Sequence, residues 1–177
     1  MSEHRLYLRK SSFDDCAIFA EWEKRPEVSR FFTIDDGRDY EDTVREFIER
    51  EKDRYAMQFT VCKSGGEPVG RVYISRIDPH YDSLDITRIY IADTKERGKG
   101  YGYEALLLVL RWAFCRMEME RVTLDHFSDN VIAASLYEKT GFKREGTMRR
   151  GGKKNGKYVD LCLMSMLREE YLEKYFK

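Results

Sequence analysis

An α/β fold, in which a mixed twisted sheet is built round a central βαβ crossover and flanked by helices, is the architecture this sequence predicts. Three observations carry it. Met57, Phe59 and Val61 alternate with Gln58, Thr60 and Cys62, the period of a strand with its two faces in different surroundings. Residues 84–92, 103–117 and 121–126 then read as strand, largely buried helix and strand, an order that makes a crossover with parallel flanking strands, expected to be right-handed. The 177 residues contain no repeat, low-complexity tract or Pro/Ser-rich linker and fit one domain over 1–177, large enough to bury roughly 70% of the unfolded chain's surface.

The remaining elements follow in chain order. A short strand covers about 5–10. Ser12 and Asp15 have the spacing of a capping box, and Phe13, Cys16, Ala17 and Ala20 recur at helical spacing until Pro26 stops the helix. Tyr40, Val44, Phe47 and Ile48 form one apolar stripe on a charged second helix of about 39–54. Ser64-Gly65-Gly66 turns the first strand of a hairpin into a second extended run at 69–77. After the crossover, a helix over 129–140 ends at Gly141, a favoured C-terminal cap residue. Strands at about 142–148 and 158–166 close the chain, joined by a basic loop over 149–157.

Composition narrows the function by exclusion. Apolar residues at 42% and charged residues at 36% describe a soluble globular chain. Lys plus Arg and Asp plus Glu both number 32, so the net field offers no reason to expect nucleic acid or an anionic membrane as partner. Cys16, Cys62, Cys115 and Cys162 lie far apart, without histidines at metal-ligand spacing, and read as reduced core thiols; no metal site is indicated. The first ten residues lack the apolar stretch of a signal peptide, and the longest apolar run, 105–110, is too short to span a bilayer. A cytoplasmic location is expected, with a homodimer left open.

Chemistry enters at Gly98, Gly100 and Gly102, which alternate between a strand and a buried helix. Such a loop can aim several backbone N–H groups at one point, where the unpaired donors and the positive helix end favour an anion; a flexible connection is the bland alternative. A P-loop is excluded because Gly98-Lys99 is followed by Gly100 where Ser or Thr is needed. The dinucleotide fingerprint is nearer, with Asp125 placed as a ribose-binding acid, but Tyr103 stands at the third glycine position and the chain holds one βαβ unit.

Arg97-Gly98-Lys99-Gly100-Tyr101-Gly102 is similar to the Arg/Gln-x-x-Gly-x-Gly/Ala signature of GNAT acetyltransferases. About thirty residues on, Asn130-Val131-Ile132-Ala133-Ala134-Ser135-Leu136-Tyr137, followed by Gly141-Phe142, resembles the family's Asn-x-x-Ala-x-x-Leu-Tyr and Gly-Phe pattern. The closing stretch, with Glu145-Gly146 and Asn155-Gly156-Lys157-Tyr158, resembles the branch holding ribosomal-protein alanine and spermidine acetyltransferases.

That resemblance implies a GNAT-like fold and an N-acetyltransferase that moves an acetyl group from acetyl-CoA directly to a primary amine: a protein N-terminus, a polyamine or another small amine. It implies that the strand before the glycine loop parts from the strand after the helix, so that Ile89 and Ile91 meet the pantetheine arm through main-chain atoms. Arg97, Gly98, Lys99, Gly100, Tyr101 and Gly102 would receive the pyrophosphate, and Asn130 would either cap its helix or touch the coenzyme. Tyr137 matches the family's general acid, with a core aromatic as the alternative. The base is less defined, since many relatives place Glu where Ile86 stands. Asp85 is adjacent but faces the other way unless a bulge intervenes, and water relaying to another carboxylate is equally open.

Asp35, Asp36, Asp39, Glu41 and Asp42 crowd the start of the second helix beside Phe31, Phe32 and Tyr40. Asp35, Asp36 and Phe32 are therefore candidates for binding a cationic acceptor, against the plainer reading that acids at a helix start serve the dipole. The basic loop is either a solvated hairpin tip or an RNA- or phosphate-binding patch. A non-catalytic coenzyme A sensor is the rival to an enzyme.

Overall fold

The computed structural model describes residues 5–92, 95 and 98–176. Its elements run β1 (Leu6–Lys10), α1 (Asp15–Glu23), α2 (Pro26–Ser29), α3 (Tyr40–Lys52), β2 (Met57–Lys63), β3 (Pro68–Asp78), β4 (Ser83–Ile91), α4 (Tyr101–Arg111), β5 (Arg121–Phe127), α5 (Val131–Thr140), β6 (Lys143–Lys154), β7 (Lys157–Leu167) and α6 (Arg168–Tyr175). The strands form one mixed sheet in the order β1-β2-β3-β4-β5-β7-β6. Every neighbouring pair is antiparallel except β4 and β5, the parallel pair that flanks α4.

Both faces of the sheet are covered. On one, Ala105, Leu106, Val109 and Leu110 of α4 recur at helical spacing and pack with Val72, Ile74, Leu84, Val122 and Leu124 into the main core. Each of the Val, Leu and Ile side chains contributes about 1.5–3 kcal/mol through burial. On the other, α1 and α2 bring Phe19, Trp22 and Val28 onto Tyr90 and Ala92. A strand covered twice has no solvent face for its charged residues, and Arg71 in β3 is fully buried.

Two irregularities open the sheet where a ligand could enter. Tyr73 pairs with Arg88 and Ile74 with Ile86, which leaves Thr87 as an extra residue, a β-bulge. Past it, Ile89 and Ile91 join Leu84 and Ile86 on the α4 side, while Arg88 and Tyr90 turn toward α1 and α3. Pairing of β4 with β5 is confined to Ser83, Leu84 and Asp85 against Arg121, Val122 and Thr123, and beyond them the strands part.

Several sequence expectations need correction. The basic stretch is no loop: β6 and β7 run through it and turn at Asn155-Gly156, both at positive φ (48° and 76°), the residue pair that suits a tight hairpin turn. The supposed Ser12 capping box is half formed, since Asp15 accepts the Ser12 backbone N–H at 2.8 Å while the Ser12 hydroxyl turns to that same carboxylate. Asp39 and Asp42 make the complete box instead, at the start of α3. Neither α2, which opens on Pro26, nor α6 is expected from the sequence, and α4 gives way after Arg111 to a π-helical turn, Trp112–Arg116. Cys16, Cys62 and Cys162 are buried, whereas Cys115 is exposed.

Candidate functional site

Two cavities meet at the parted strands. The larger, about 570 Å³, lies between β4, the glycine loop, the start of α4 and one side of α5. Its floor is apolar, from Ile89, Ile91, Leu106 and Leu136, and its mouth is formed by Gly98, Gly100 and Gly102. Gly98 and Gly100 hold φ of 78° and 84°, which glycine adopts without strain, and a Cβ on Gly98 would meet nothing within 4 Å. Gly100 is the N-cap of α4, so the loop delivers unpaired backbone N–H groups and the positive helix end to the cavity mouth. Arg5 steadies that turn: its guanidinium bonds the Lys99 carbonyl and pairs with Glu104 at 2.9 Å, and it lies over the Tyr101 ring. Glu104 also accepts the Leu6 N–H, which ties β1 to the helix start. Lys99 is exposed; Arg97 lies outside the described residues.

The smaller cavity, about 220 Å³, opens on the other side of β4. Phe31, Phe32, Thr33 and Ile34 roof it, Glu46 and Arg50 reach in from α3, Thr87 and Arg88 from the bulge, and Asp125 and His126 from β5. The roof is held from a distance. Lys154, at the hairpin tip, donates to the carbonyls of Ser29 (3.1 Å) and Ile34 (2.6 Å) and to Asp36 (2.8 Å). Asn155 donates its backbone N–H to Asp35 and its amide to Asp36. Asp35 and Asp36 therefore clasp the hairpin tip, and the Asp36 carboxyl is lowered by its bonds to Lys154 and Asn155. The packing is tight: a Cβ on Gly152 would come within 2.7 Å of Thr33.

Tyr137 and Ile89 line both cavities. Tyr137 is 8% exposed, with Phe142 and His126 rings at 6.0 and 5.8 Å, and its hydroxyl has no hydrogen-bond partner among the described residues. Burial, and then the nearby Asp125 charge, raise its phenol well above the ordinary value of 10. Asp125 is itself raised from 3.8, by burial and then by Asp85. His126 donates Nδ1–H to the Phe127 carbonyl at 2.8 Å, and its buried Nε2 has no partner among the described residues.

Asp85, the sequence candidate for the base, is not on the cavity lining. It is 2% exposed and fully engaged, accepting from Thr87 (2.9 Å) and Thr123 (2.7 Å) and pairing with Arg76 (3.0 Å). The bulge falls after it, at Thr87, and so does not turn it. Asp125 is the carboxylate that reaches the cavity from β5, while sequence reading considered it only as a ribose-binding acid. Asn130 caps α5, its side chain accepting the Ala133 N–H at 3.1 Å, and also lines the smaller cavity.

Behind the roof lies a buried ion cluster that sequence reading missed. Glu23 accepts from Arg71 (2.8 Å), Arg88 (3.2 Å) and the Tyr90 hydroxyl (2.9 Å). Glu46 pairs with Arg38 (2.7 Å), Arg50 (2.8 Å) and Arg88 (3.0 Å). Burial pushes the Glu46 carboxyl up, but Arg88, Arg50, Arg71 and Arg38 outweigh it and hold it at about 2. Arginines inside a strand are the available signal, and it is weak, because an arginine on a solvent face reads the same. Among the described residues no group of three or more His, Cys, Asp or Glu could hold a metal, and no helix is long and apolar enough to cross a membrane.

Comparison with known proteins gives the following. The family model for the acetyltransferase (GNAT) domain matches residues 5–143. The uncharacterized N-acetyltransferase p20 of Bacillus licheniformis is 24% identical over 174 residues, covering 94% of this chain and 95% of that protein. The SPbeta prophage-derived uncharacterized N-acetyltransferase YokL of Bacillus subtilis (strain 168) is 30% identical over 129 residues, covering 72% and 71%. The crystal structure of spermidine N-acetyltransferase from Vibrio cholerae in complex with CoA and spermine superposes with a TM-score of 0.85 at 21% identity, over 95% of this chain and 98% of that one.

Proposed function

The chain belongs to the GNAT acetyltransferase family, and from that premise we propose that it transfers the acetyl group of acetyl-CoA directly to a primary amine where its two cavities meet. One observation carries the reading: Tyr137 and Ile89 face both spaces, so a thioester in the larger cavity and an amine in the smaller one would share that point. The larger cavity suits the coenzyme. Its open glycine mouth and the N-terminus of α4 would take the pyrophosphate, with Arg5 adding charge, and the apolar channel along Ile89 and Ile91 would take the pantetheine arm beside the unpaired edge of β4.

An alkylammonium of pKa about 10.4 must lose a proton before it can attack. Asp125 accepts it, directly or through one water. The amine nitrogen then forms a bond to the thioester carbonyl carbon, the C–S bond breaks, and sulfur leaves with the electron pair and the Tyr137 proton. The second proton lost by the nitrogen restores the phenol. The products are an N-acetyl amide, the free thiol and one proton. Burial raises the Tyr137 phenol first and the Asp125 charge second; proton arrival at Asp125 removes the second of these, so deprotonating the amine makes the phenol a somewhat better acid.

The test is thiol release from acetyl-CoA on adding amines: amino acids, peptide N-termini, polyamines and aminoglycosides. Amine-dependent release with a matching N-acetyl product is expected. Coenzyme binding without release for any amine would make the protein a sensor.

A further inference from the structure

The charge behind the acceptor cavity does not balance. Four guanidinium groups, Arg38, Arg50, Arg71 and Arg88, converge on two carboxylates, Glu23 and Glu46. Aromatic faces compensate part of the excess, with Arg50 3.5 Å from the Tyr73 ring centre and Arg71 4.4 Å from that of Phe19. Hydrogen bonds do not complete it: Arg50 Nη1 and Arg71 Nε are buried without an acceptor among the described residues. Arg50 Nη1 lies 2.8 Å from a Glu46 oxygen, close enough for an ion pair but not aligned to donate to it. Glu23 Oε2 also lacks a donor among the described residues, but Glu23 does not line the cavity.

Two of the four arginines, Arg50 and Arg88, do line it, and the Arg88 side chain is only 6% exposed. With Glu46, the single carboxylate that pairs with both, they form the wall made by α3 and β4, while Asp125 and Tyr137 stand on β5 and α5. Burial, and then the neighbouring Arg88, press on the Arg50 charge, and Glu46 offsets only part of it. Buried charge of one sign costs free energy until a counter-charge arrives. A polyamine would add cations to this wall. Asp35 and Asp36, the acids expected to hold one, are occupied with the hairpin tip.

We infer that the acceptor carries its own carboxylate: a compact amino acid, seated with its carboxylate on Arg50 and Arg88 and its amine toward Asp125 and Tyr137. The inference rests on the acetyl-transfer reading and names its substrate class. Guanidinium forks match a carboxylate with two parallel hydrogen bonds. The volume agrees, since about 220 Å³ falls below the roughly 300–1,000 Å³ of cavities for drug-sized ligands.

The experiment compares amino acids with their own carboxamides, and with spermidine, as acceptors at saturating acetyl-CoA. The free acids should show kcat/KM about tenfold or more above the carboxamides, mainly through KM, because only they pair with the arginines. Arg50→Gln should lower kcat/KM for the acids about tenfold more than for their carboxamides, so that the ratio of the two falls to about one. Coenzyme affinity by calorimetry shows whether that variant is folded; if it is not, Arg50→Lys, which keeps the charge and loses the fork, should weaken the preference instead. Carboxamides or spermidine used as well as the acids would overturn the inference while leaving acetyl transfer intact. Turnover of no amine at all would remove the acetyl-transfer reading and this inference with it.

Discussion

Replacing Tyr137 by Phe separates chemistry from packing more cleanly than any other change in this site. The hydroxyl makes no hydrogen bond to a described residue, and the buried ring keeps its contacts with Phe142 and His126. Folding stability should therefore change by about 0.5 kcal/mol or less, a Tm shift within about 2 °C for a chain of this size. Coenzyme affinity should also hold, because the proposed pyrophosphate and pantetheine contacts lie along the glycine loop and β4. On the proposed mechanism the variant loses the proton for the departing thiolate, and general acid catalysis is worth roughly 10²–10⁴ in rate, or about 2.7–5.5 kcal/mol of barrier. The assay is steady-state thiol release for kcat and KM, with calorimetry for acetyl-CoA and a thermal melt on the same preparation. A folded variant that binds coenzyme normally and turns over at the wild-type kcat would refute the assignment. A fall confined to KM would instead make the hydroxyl a binding group.

Four further outcomes follow from the same geometry. Asp125→Asn should lower kcat/KM about 10²–10⁴-fold at neutral pH and recover as pH rises toward the acceptor amine's own pKa; a pH–rate profile like the wild type's would sink the base. Gly100→Glu forces a side chain to φ 84°, at about 1–2 kcal/mol of strain, and puts a negative charge at the cavity mouth. Its Kd for acetyl-CoA should rise steeply by calorimetry, and an unchanged Kd in a folded variant would place the phosphates elsewhere. Lys154→Met strands the Ile34 carbonyl and leaves that of Ser29 only the Phe32 N–H, costing about 1–3 kcal/mol and raising the acceptor KM without altering coenzyme affinity; an unchanged Tm and KM would refute the latch. Glu46 is held at about 2 against an ordinary 4.5, so its stabilisation is complete above about 4.5 and lost as pH falls toward 2. Urea melts across that window should show the wild type losing up to about 3 kcal/mol more than Glu46→Gln, and parallel curves would contradict it.

The sequence by itself determined the crossover, the hairpin of β2 and β3 and the family, because these rest on local signals: a period of two or 3.6, glycines between a strand and a helix, an Asn before α5 and a Gly after it. It also placed Tyr137 on α5 and Ile89 on β4, residues that prove to line the two cavities. Asn155-Gly156 was a legible turn signal that the surrounding run of charges obscured. Only the tertiary structure decided the acceptor side, where every decisive contact joins residues remote in the chain. Asp35 and Asp36 were free acids in one dimension, and became a clasp only when a hairpin tip about 120 residues away folded over them. The bulge at Thr87 depends on the register of β4 against β3, and it alone turns Arg88 from the face of Ile86 toward Glu23 and Glu46. Arg71 could be known as buried only once helices covered both faces of the sheet, for alternation along a strand tells which residues share a face and not whether that face meets water.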